Sequence, residues 1–298
     1  MQQNKLVLIS LLVVFVVGIG VIYFFDGTGD VGDSVSHFLY SRFAFDHPRL
    51  LLHHWAKPVF VLFTAPFAQF GFEGMKLFNW SVILLAVWLS YRSAQHFSLS
   101  QPWLVLPFFL FIPYVMRLGF SGLTEPLFAC WLIGGLLLLW KEKQVPGLIL
   151  LSFLPFVRSE GLIVLGVLGV YLLLRRFWRL LPFLLIGHFV YSVVGAVYYG
   201  NMFWVFKKIP YASMAAYGSG PWHHFIEALF YVVGAPIYLF VCFGLLGHLR
   251  KIIVEWKSRW SFLEQTLLVY GIFVAYVAAH SVFYFFGIFN SMGLSRVL

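Results

Sequence analysis

The fold class this sequence predicts is an all-α polytopic membrane protein, and three observations predict it. Apolar residues make up 61% of the 298-residue chain and charged residues only 10%, against about 25% charged in soluble domains. Apolar runs of about 20 residues recur, the length a helix needs to cross a hydrocarbon core of roughly 30 Å. The basic residues form no regularly spaced face and sit at the ends of apolar runs. The net charge of +9 therefore reads as anchoring at lipid head groups, with nucleic acid excluded as a partner.

The elements follow in order as one transmembrane domain, residues 1–298, with about nine crossings. Residues 6–25 form the first helix. Lys5 is the lone early charge and no small-residue cleavage site follows, so this helix reads as a retained anchor. Residues 26–57 form a polar loop in which 33–43 can lie as an interfacial helix, with Phe38, Leu39 and Phe43 turned to lipid. Residues 58–72 are apolar but interrupted by Pro66 and Gly71, which suits a short or re-entrant piece. Helices are expected over 74–91, 102–116 and 124–140, ended by Arg92, Arg117 and Lys141. The run 145–174 carries Arg158-Ser159-Glu160 in its middle, and its first part reaches only about 20 Å. It reads as a short helix, a polar turn and a helix returning to Arg175. Helices over 180–199, 223–249 and 265–289 complete the set, separated by loop 200–222 and a basic loop, 250–259. The tail after 290 looks like the start of another segment.

Basic residues set the orientation. Lys5, Arg92, Lys141, Lys143, Arg175, Arg176, Arg179 and the 250–259 cluster sit in short connections at helix ends, which makes them cytoplasmic with the N-terminus. Loops 26–57 and 200–222 then share the extracytoplasmic face with Arg117, Glu125, Arg158 and Glu160. The membrane is the cell's inner (plasma) membrane, or the endoplasmic reticulum in a eukaryote. Cys130 and Cys242 lie inside apolar runs, so no disulfide framework is predicted.

The residues that can carry chemistry collect in loop 26–57. It holds every aspartate of the chain: Asp26, Asp30, Asp33 and Asp46. A solvated loop with its acids capping the interfacial helix accounts for Asp26 and Asp30. It explains less well why all the aspartates gather here, and acids near a membrane are costly. Asp33 and His37 are four apart, so they share one helix face. Glu125 has an ordinary account as a first-turn acid after Thr124 and before Pro126, and a ligand-contacting role beside it. Arg158 and Glu160 are able to pair with one another, yet two charges in mid-run favour function. Lys207 and Lys208 lie on the outer side against the positive-inside trend, which suits anion binding. A metal site from His53, His54, Asp46 and His47 is the minority reading, because adjacent histidines point apart on a helix.

These motifs fall in a recognisable order: Gly32-Asp33, then His54-Trp55-Ala56-Lys57-Pro58, then Ser121-Gly122-Leu123-Thr124-Glu125-Pro126, then Arg158-Ser159-Glu160-Gly161. The order resembles the GT-C superfamily of membrane glycosyltransferases, such as protein O-mannosyltransferases and aminoarabinose transferases, over residues 6–199. Many relatives place two acids side by side in the first loop, whereas here Ser34 follows Asp33, so the second acid is Asp30 or Asp46. The resemblance implies transfer of a sugar, with inversion, from a polyprenyl-phosphate donor to a hydroxyl of a protein, lipid or glycan acceptor. Asp33 would be the general base. Arg117, Arg158, Lys207 and Lys208 would stabilise the phosphate leaving group. Asp30, His37, Asp46, His54, Lys57, Glu125 and Glu160 complete the expected substrate contacts. No cofactor is implied, with a divalent metal left open. The alternatives are a transporter or flippase of a lipid-linked or anionic solute, and a structural subunit. Transporters tend to carry half-repeats, and none is visible; the aspartate clustering argues against a subunit without a site.

Overall fold

The computed structural model describes residues 2–30, 32–209, 218–255, 262–289 and 291–297. Residues 210–217 of loop 200–222, and Lys257 and Arg259 of the basic loop, lie outside the described residues. The described chain is helical, with no strand. A long apolar helix, α1 (Gln2–Phe24), leads into α2 (Asp33–Arg42), α3 (Pro58–Ala68) and the long α4 (Gly71–His96). A single turn brings in α5 (Val105–Leu110) and α6 (Pro113–Gly119), followed by α7 (Glu125–Trp140), α8 (Gln144–Ser152), α9 (Leu154–Val157) and α10 (Gly161–Leu174). A 3₁₀ stretch, Trp178–Leu185, precedes α11 (Ile186–Tyr199) and the short α12 (Trp204–Lys207). The remaining helices are α13 (His224–Val233), α14 (Ala235–Val254), α15 (Leu263–Gln265) and α16 (Ile272–Phe286), the last two joined by a π-helical turn, Thr266–Gly271.

Five helical stretches are long and apolar enough to cross a membrane: Gln2–Phe24, Gly71–His96, Trp178–Tyr199, Ala235–Val254 and Leu263–Phe286. The count becomes six if the bent pair Pro102–Leu110 and Pro113–Gly119 is one span. Two helices expected to be continuous are broken, each at a proline. The stretch 102–116 bends by 72° before Pro113, whose ring clashes with the preceding turn and leaves Ile112 extended. The stretch 223–249 divides at Gly234, where φ +79° and ψ 153° open the chain ahead of Pro236.

Hydrophobic burial assembles the bundle. Phe60 of α3, Met75 and Phe78 of α4, Leu136 and Trp140 of α7, Leu148 and Leu151 of α8 and Leu168 of α10 share one core. Lipid tails are as apolar as these side chains, so where the bundle lies in a membrane close van der Waals packing, rather than transfer out of water, holds them together. Val7, Leu11 and Ile22 of α1 pack on Trp80, Ile83 and Val87 of α4 in a second core. The two helices run antiparallel. Tyr91 donates to Asn4 Oδ1 (2.6 Å) at one end, and Lys76 Nζ donates to the Phe25 carbonyl at the other. The faces of α1 and α14 turned away from the bundle expose Leu8, Leu12, Val16, Leu239, Phe240 and Phe243, a surface compatible with lipid.

The alternation of helices sorts polar groups to two ends. His96, Glu142, Arg175 and Glu264 meet at one end. The ends of α1, α6 and α9 and the starts of α4, α7 and α10 meet at the other, where all the aspartates but Asp46 and Asp26 come together with Glu125 and Glu160.

Candidate functional site

The site is built on two turns that the sequence makes and the bundle presses together. At the start of α2, Asp30 Oδ1 accepts the backbone N–H groups of Gly32 and Asp33, each at 3.0 Å. This satisfies donors that a helix start otherwise leaves unpaired. Ser34, His37 and Ser41, spaced along one face of α2, are all buried. Ser34 Oγ donates to the Thr28 carbonyl (2.7 Å) and accepts the Gly122 N–H (2.5 Å), which ties the first loop to the Ser121–Thr124 turn. Asn79 of α4 supports that turn from below, its Nδ2 donating to the carbonyls of Ser121 (2.7 Å) and Leu123 (3.0 Å). Close approach requires glycine at two positions. A Cβ on Gly122 would lie 2.5 Å from the Ser34 carbonyl, and Gly29 holds φ +71° with only 2.7 Å to the Ser121 Cβ.

An ionic network spans the two turns. Arg158 sits 2.6 Å from Glu125 Oε1 and 2.6 Å from Glu160 Oε1, and donates to Thr124 Oγ1 at 3.2 Å. Its side chain is 10% exposed. Arg296, from the last described turn, forks between Asp30 Oδ2 and Asp33 Oδ2. The same guanidinium lies 3.9 Å from Glu125 Oε1, which joins the aspartates to the Arg158 centre. Tyr276 and His280 of α16 come within electrostatic reach of Arg158 and Glu160. Lys57 Nζ donates to Ser159 Oγ at 2.7 Å. His37 lies under this layer, stacked on Trp55 with ring centroids 4.7 Å apart.

Charge follows from these contacts. Burial pushes the Asp30 carboxyl up, but Arg296 and the backbone N–H groups around it outweigh burial and hold it below the usual carboxylate range. Burial likewise opposes ionisation of Glu160, and Arg158 overrides it, keeping the carboxyl down at about 2. Burial, with Arg158, Lys57 and Arg296 nearby, pushes the His37 imidazole down to about 3, so it is neutral at pH 7. Lys57 is lowered to about 8, chiefly by burial and partly offset by Glu160.

The expected residues divide into three groups. Glu125, Arg158 and Glu160 come together directly, Asp30 and Asp33 join them through Arg296, and Lys57 and His37 border them. Arg117 stands at the rim, its Nε donating to the Gly29 carbonyl at 2.7 Å. His54 is turned aside against Trp204, ring centroids 6.1 Å apart. Asp46, Lys207 and Lys208 lie apart from the cluster. Asp46 is exposed beyond the far end of α2, a helix that carries the chain about 15 Å from Asp33, while Asp30 shares Arg296 with Asp33. Lys208 lies over the Tyr199 ring at 4.1 Å and Lys207 is exposed beside it; among the described residues no contact brings either to the acids. For the metal alternative, His53 contacts Tyr40 at 3.3 Å while His54 faces Trp204. Among the described residues no group of three or more His, Cys, Asp or Glu side chains is placed to hold a metal.

Arg296, Tyr276 and His280 were not among the expected site residues. His280 and Tyr276 carry the usable signal, polar groups inside the apolar run of α16. Arg296 has no local motif at all. No protein-family model, curated protein or solved structure matches the chain.

Proposed function

We propose that this protein is a multi-pass membrane glycosyltransferase that moves a sugar from a polyprenyl-phosphate donor to an acceptor hydroxyl. The single observation that carries the reading is that Asp33, Asp30, Glu125, Arg158 and Glu160, from three separate segments, belong to one largely buried ionic network. A general base needs a carboxylate held at the rim of a pocket, and Asp33 is 40% exposed on its side chain. A phosphate leaving group needs cations rather than a proton, and Arg158, Arg296 and Lys57 are the cations at hand, with Arg117 at the rim. In this reading the bundle crosses about nine times, counting the bent and shorter apolar helices. The N-terminus is cytoplasmic and the site opens on the outer face, in the plasma membrane or the endoplasmic reticulum. The prenyl chain runs in lipid or between helices, where a cleft of about 490 Å³ lies among Trp222, Leu229, Cys242, Phe273 and Phe285.

The transporter reading has one observation in its favour, the 72° break between α5 and α6, since broken helices line many transport sites. Asp33→Asn separates the two. The transferase reading expects retained binding of a short-chain polyprenyl-phosphate sugar and a 10²- to 10⁴-fold loss of turnover, of the order a positioned base supplies. Undiminished transfer in the variant would refute Asp33 as the base, and undiminished movement of a lipid-linked substrate across vesicles would favour the rival.

A further inference from the structure

Lys57 and Ser159 meet as an amine and a hydroxyl, the two groups that activate one another in serine–lysine acyl-transfer centres. The contact, 2.7 Å from Nζ to Oγ, joins segments about a hundred residues apart. Lys57 is 5% exposed and reaches its position through a left-handed backbone, φ +68°, that lysine rarely adopts. Its neighbours hold it there, because Ala56 is fully buried and Pro58 starts α3. Ser159 occupies a sharp turn between an extended Arg158 (φ −153°, ψ 144°) and the start of α10 at Gly161. An extended–turn–helix arrangement presents a serine hydroxyl at a helix N-terminus, where the dipole favours developing negative charge. Ser159 is half-buried rather than sealed. Beside it, the buried Nε of Arg158 has no hydrogen-bond partner among the described residues. That leaves one N–H donor for an oxyanion.

We propose that Ser159 is an acyl-accepting nucleophile and Lys57 its general base, a reactive centre for ester carbonyls of membrane-soluble molecules. The lipid-like substrate class follows from an apolar cleft of about 590 Å³ whose wall begins at Val59, two residues past Lys57. Leu62, Phe63, Trp131, Leu150 and Phe153 are among the residues that continue that wall, and they suit an acyl chain. In the step itself Ser159 Oγ bonds to the ester carbonyl carbon as its proton passes to Lys57 Nζ. The carbon–oxygen bond to the alcohol then breaks, and the leaving alkoxide takes the proton back from Nζ. Water repeats the sequence on the acyl-serine, giving a carboxylic acid and restoring Ser159. The centre requires neutral amine, and among the described residues the titratable groups facing Lys57 include Glu160, Arg158, His37, His53 and His54. Burial leads in setting the amine near 8, so reactivity rises with pH up to that region.

The proposal shares Lys57 with the transferase reading, as a neutral amine here and as a cation there, but its readouts need no sugar donor, so the two fail separately. The test uses the full chain in detergent micelles with an alkyl fluorophosphonate, followed by peptide mapping. The expected result is an adduct on Ser159 whose rate climbs about tenfold from pH 6 to pH 7 and levels above pH 8. Ser159→Ala abolishes it, and Lys57→Met slows it at least 10²-fold. The wild-type protein also releases p-nitrophenol from p-nitrophenyl octanoate, and Ser159→Ala does not. The proposal fails if the folded wild type takes up probe elsewhere and leaves Ser159 unmodified, or takes up none. It also fails if Lys57→Met reacts at the wild-type rate. Where Lys57→Met does not fold, the wild-type pH profile decides, a flat profile from pH 6 to 8 overturning the role of the amine.

Discussion

Replacing Arg158 with methionine tests the centre of the network. The guanidinium lies 2.6 Å from Glu125 and 2.6 Å from Glu160, whose side chains are 11% and 18% exposed. Methionine fills much of the volume but leaves two carboxylates facing the place where the cation was. Breaking a buried pair by removing one partner costs about 3–5 kcal/mol, a fall of about 10 °C in an apparent unfolding midpoint. The sign of the pH dependence is the sharper reading. In the native protein Glu160 is held at about 2, below an unfolded value of about 4.3. Its ion pair therefore adds stability that is present above about pH 4.3 and is lost as pH falls toward 2. Between pH 5 and 8 the native contribution is flat.

Without Arg158, burial is opposed only by the weaker pull of His280, Lys57 and a backbone hydrogen bond, and Glu125 repels the charge, so the folded-state carboxyl is expected to rise above the unfolded one. The folded state then binds a proton the unfolded state has released, and stability falls as pH rises toward 8. The expected outcome by thermal unfolding in micelles is a variant clearly weaker than wild type at pH 8 and closer to it at pH 5. Adding Glu125→Gln or Glu160→Gln should recover part of the loss at pH 8. A variant with the wild-type midpoint at pH 8, and no difference between pH 5 and 8, would refute the account of a buried, mutually dependent triad.

Two further outcomes follow from the scaffold. Asn79→Ala removes the donor to the Ser121 and Leu123 carbonyls, and each buried acceptor left unpaired costs about 1–3 kcal/mol; amide hydrogen exchange at residues 121–124 should quicken more than in α7. Arg296→Gln removes the cation that forks Asp30 and Asp33; stability should change by about 1 kcal/mol or less, because the acids are partly exposed, while proteolysis within residues 291–297 should accelerate, and an unchanged cleavage rate would show that the tail is held by other contacts.

Composition and run length together made the helical class legible, because continuous apolar runs of about 20 residues suit helices in lipid, whereas barrel strands are about 10 residues long and alternate. Pro113 and Pro236 were visible as well, but a proline in an apolar run is tolerated or breaks the helix according to its neighbours. Pro66 shows the tolerant outcome, sitting inside α3. The acids around α2 were legible because Asp33, His37 and Ser41 have helical spacing next to a glycine-rich turn. Which acid pairs with Asp33 was not, since that depends on where Arg296 arrives from a distant segment. Lys207 and Lys208 lie apart from the acids for a related reason: a charge on the expected face of the bundle need not reach the cluster, and the Lys208 ammonium rests over the Tyr199 ring. Tyr276 and His280 stand out as polar groups in the apolar run of α16, but a helix apolar all round does not reveal which face meets the cluster.

Charge counting narrows what the cluster can accept. Among the described residues, Asp30, Asp33, Glu125 and Glu160 face Arg158, Arg296 and Lys57, so an arriving phosphate must draw a cation away from a carboxylate. Arg158 is the costly choice, being buried between two acids that would be left unpaired. Arg296 is the cheaper one, because Asp33 is 40% exposed and water can take over its solvation. Under the transferase reading proposed above, moving Arg296 from Asp33 to a donor phosphate would uncover the base and place a cation on the leaving group in a single displacement. A transporter needs only the second of these effects. Under the transferase reading Arg296→Gln should therefore weaken prenyl-phosphate binding and also lower turnover at saturating donor, whereas a loss confined to binding would mark Arg296 as a simple anion contact.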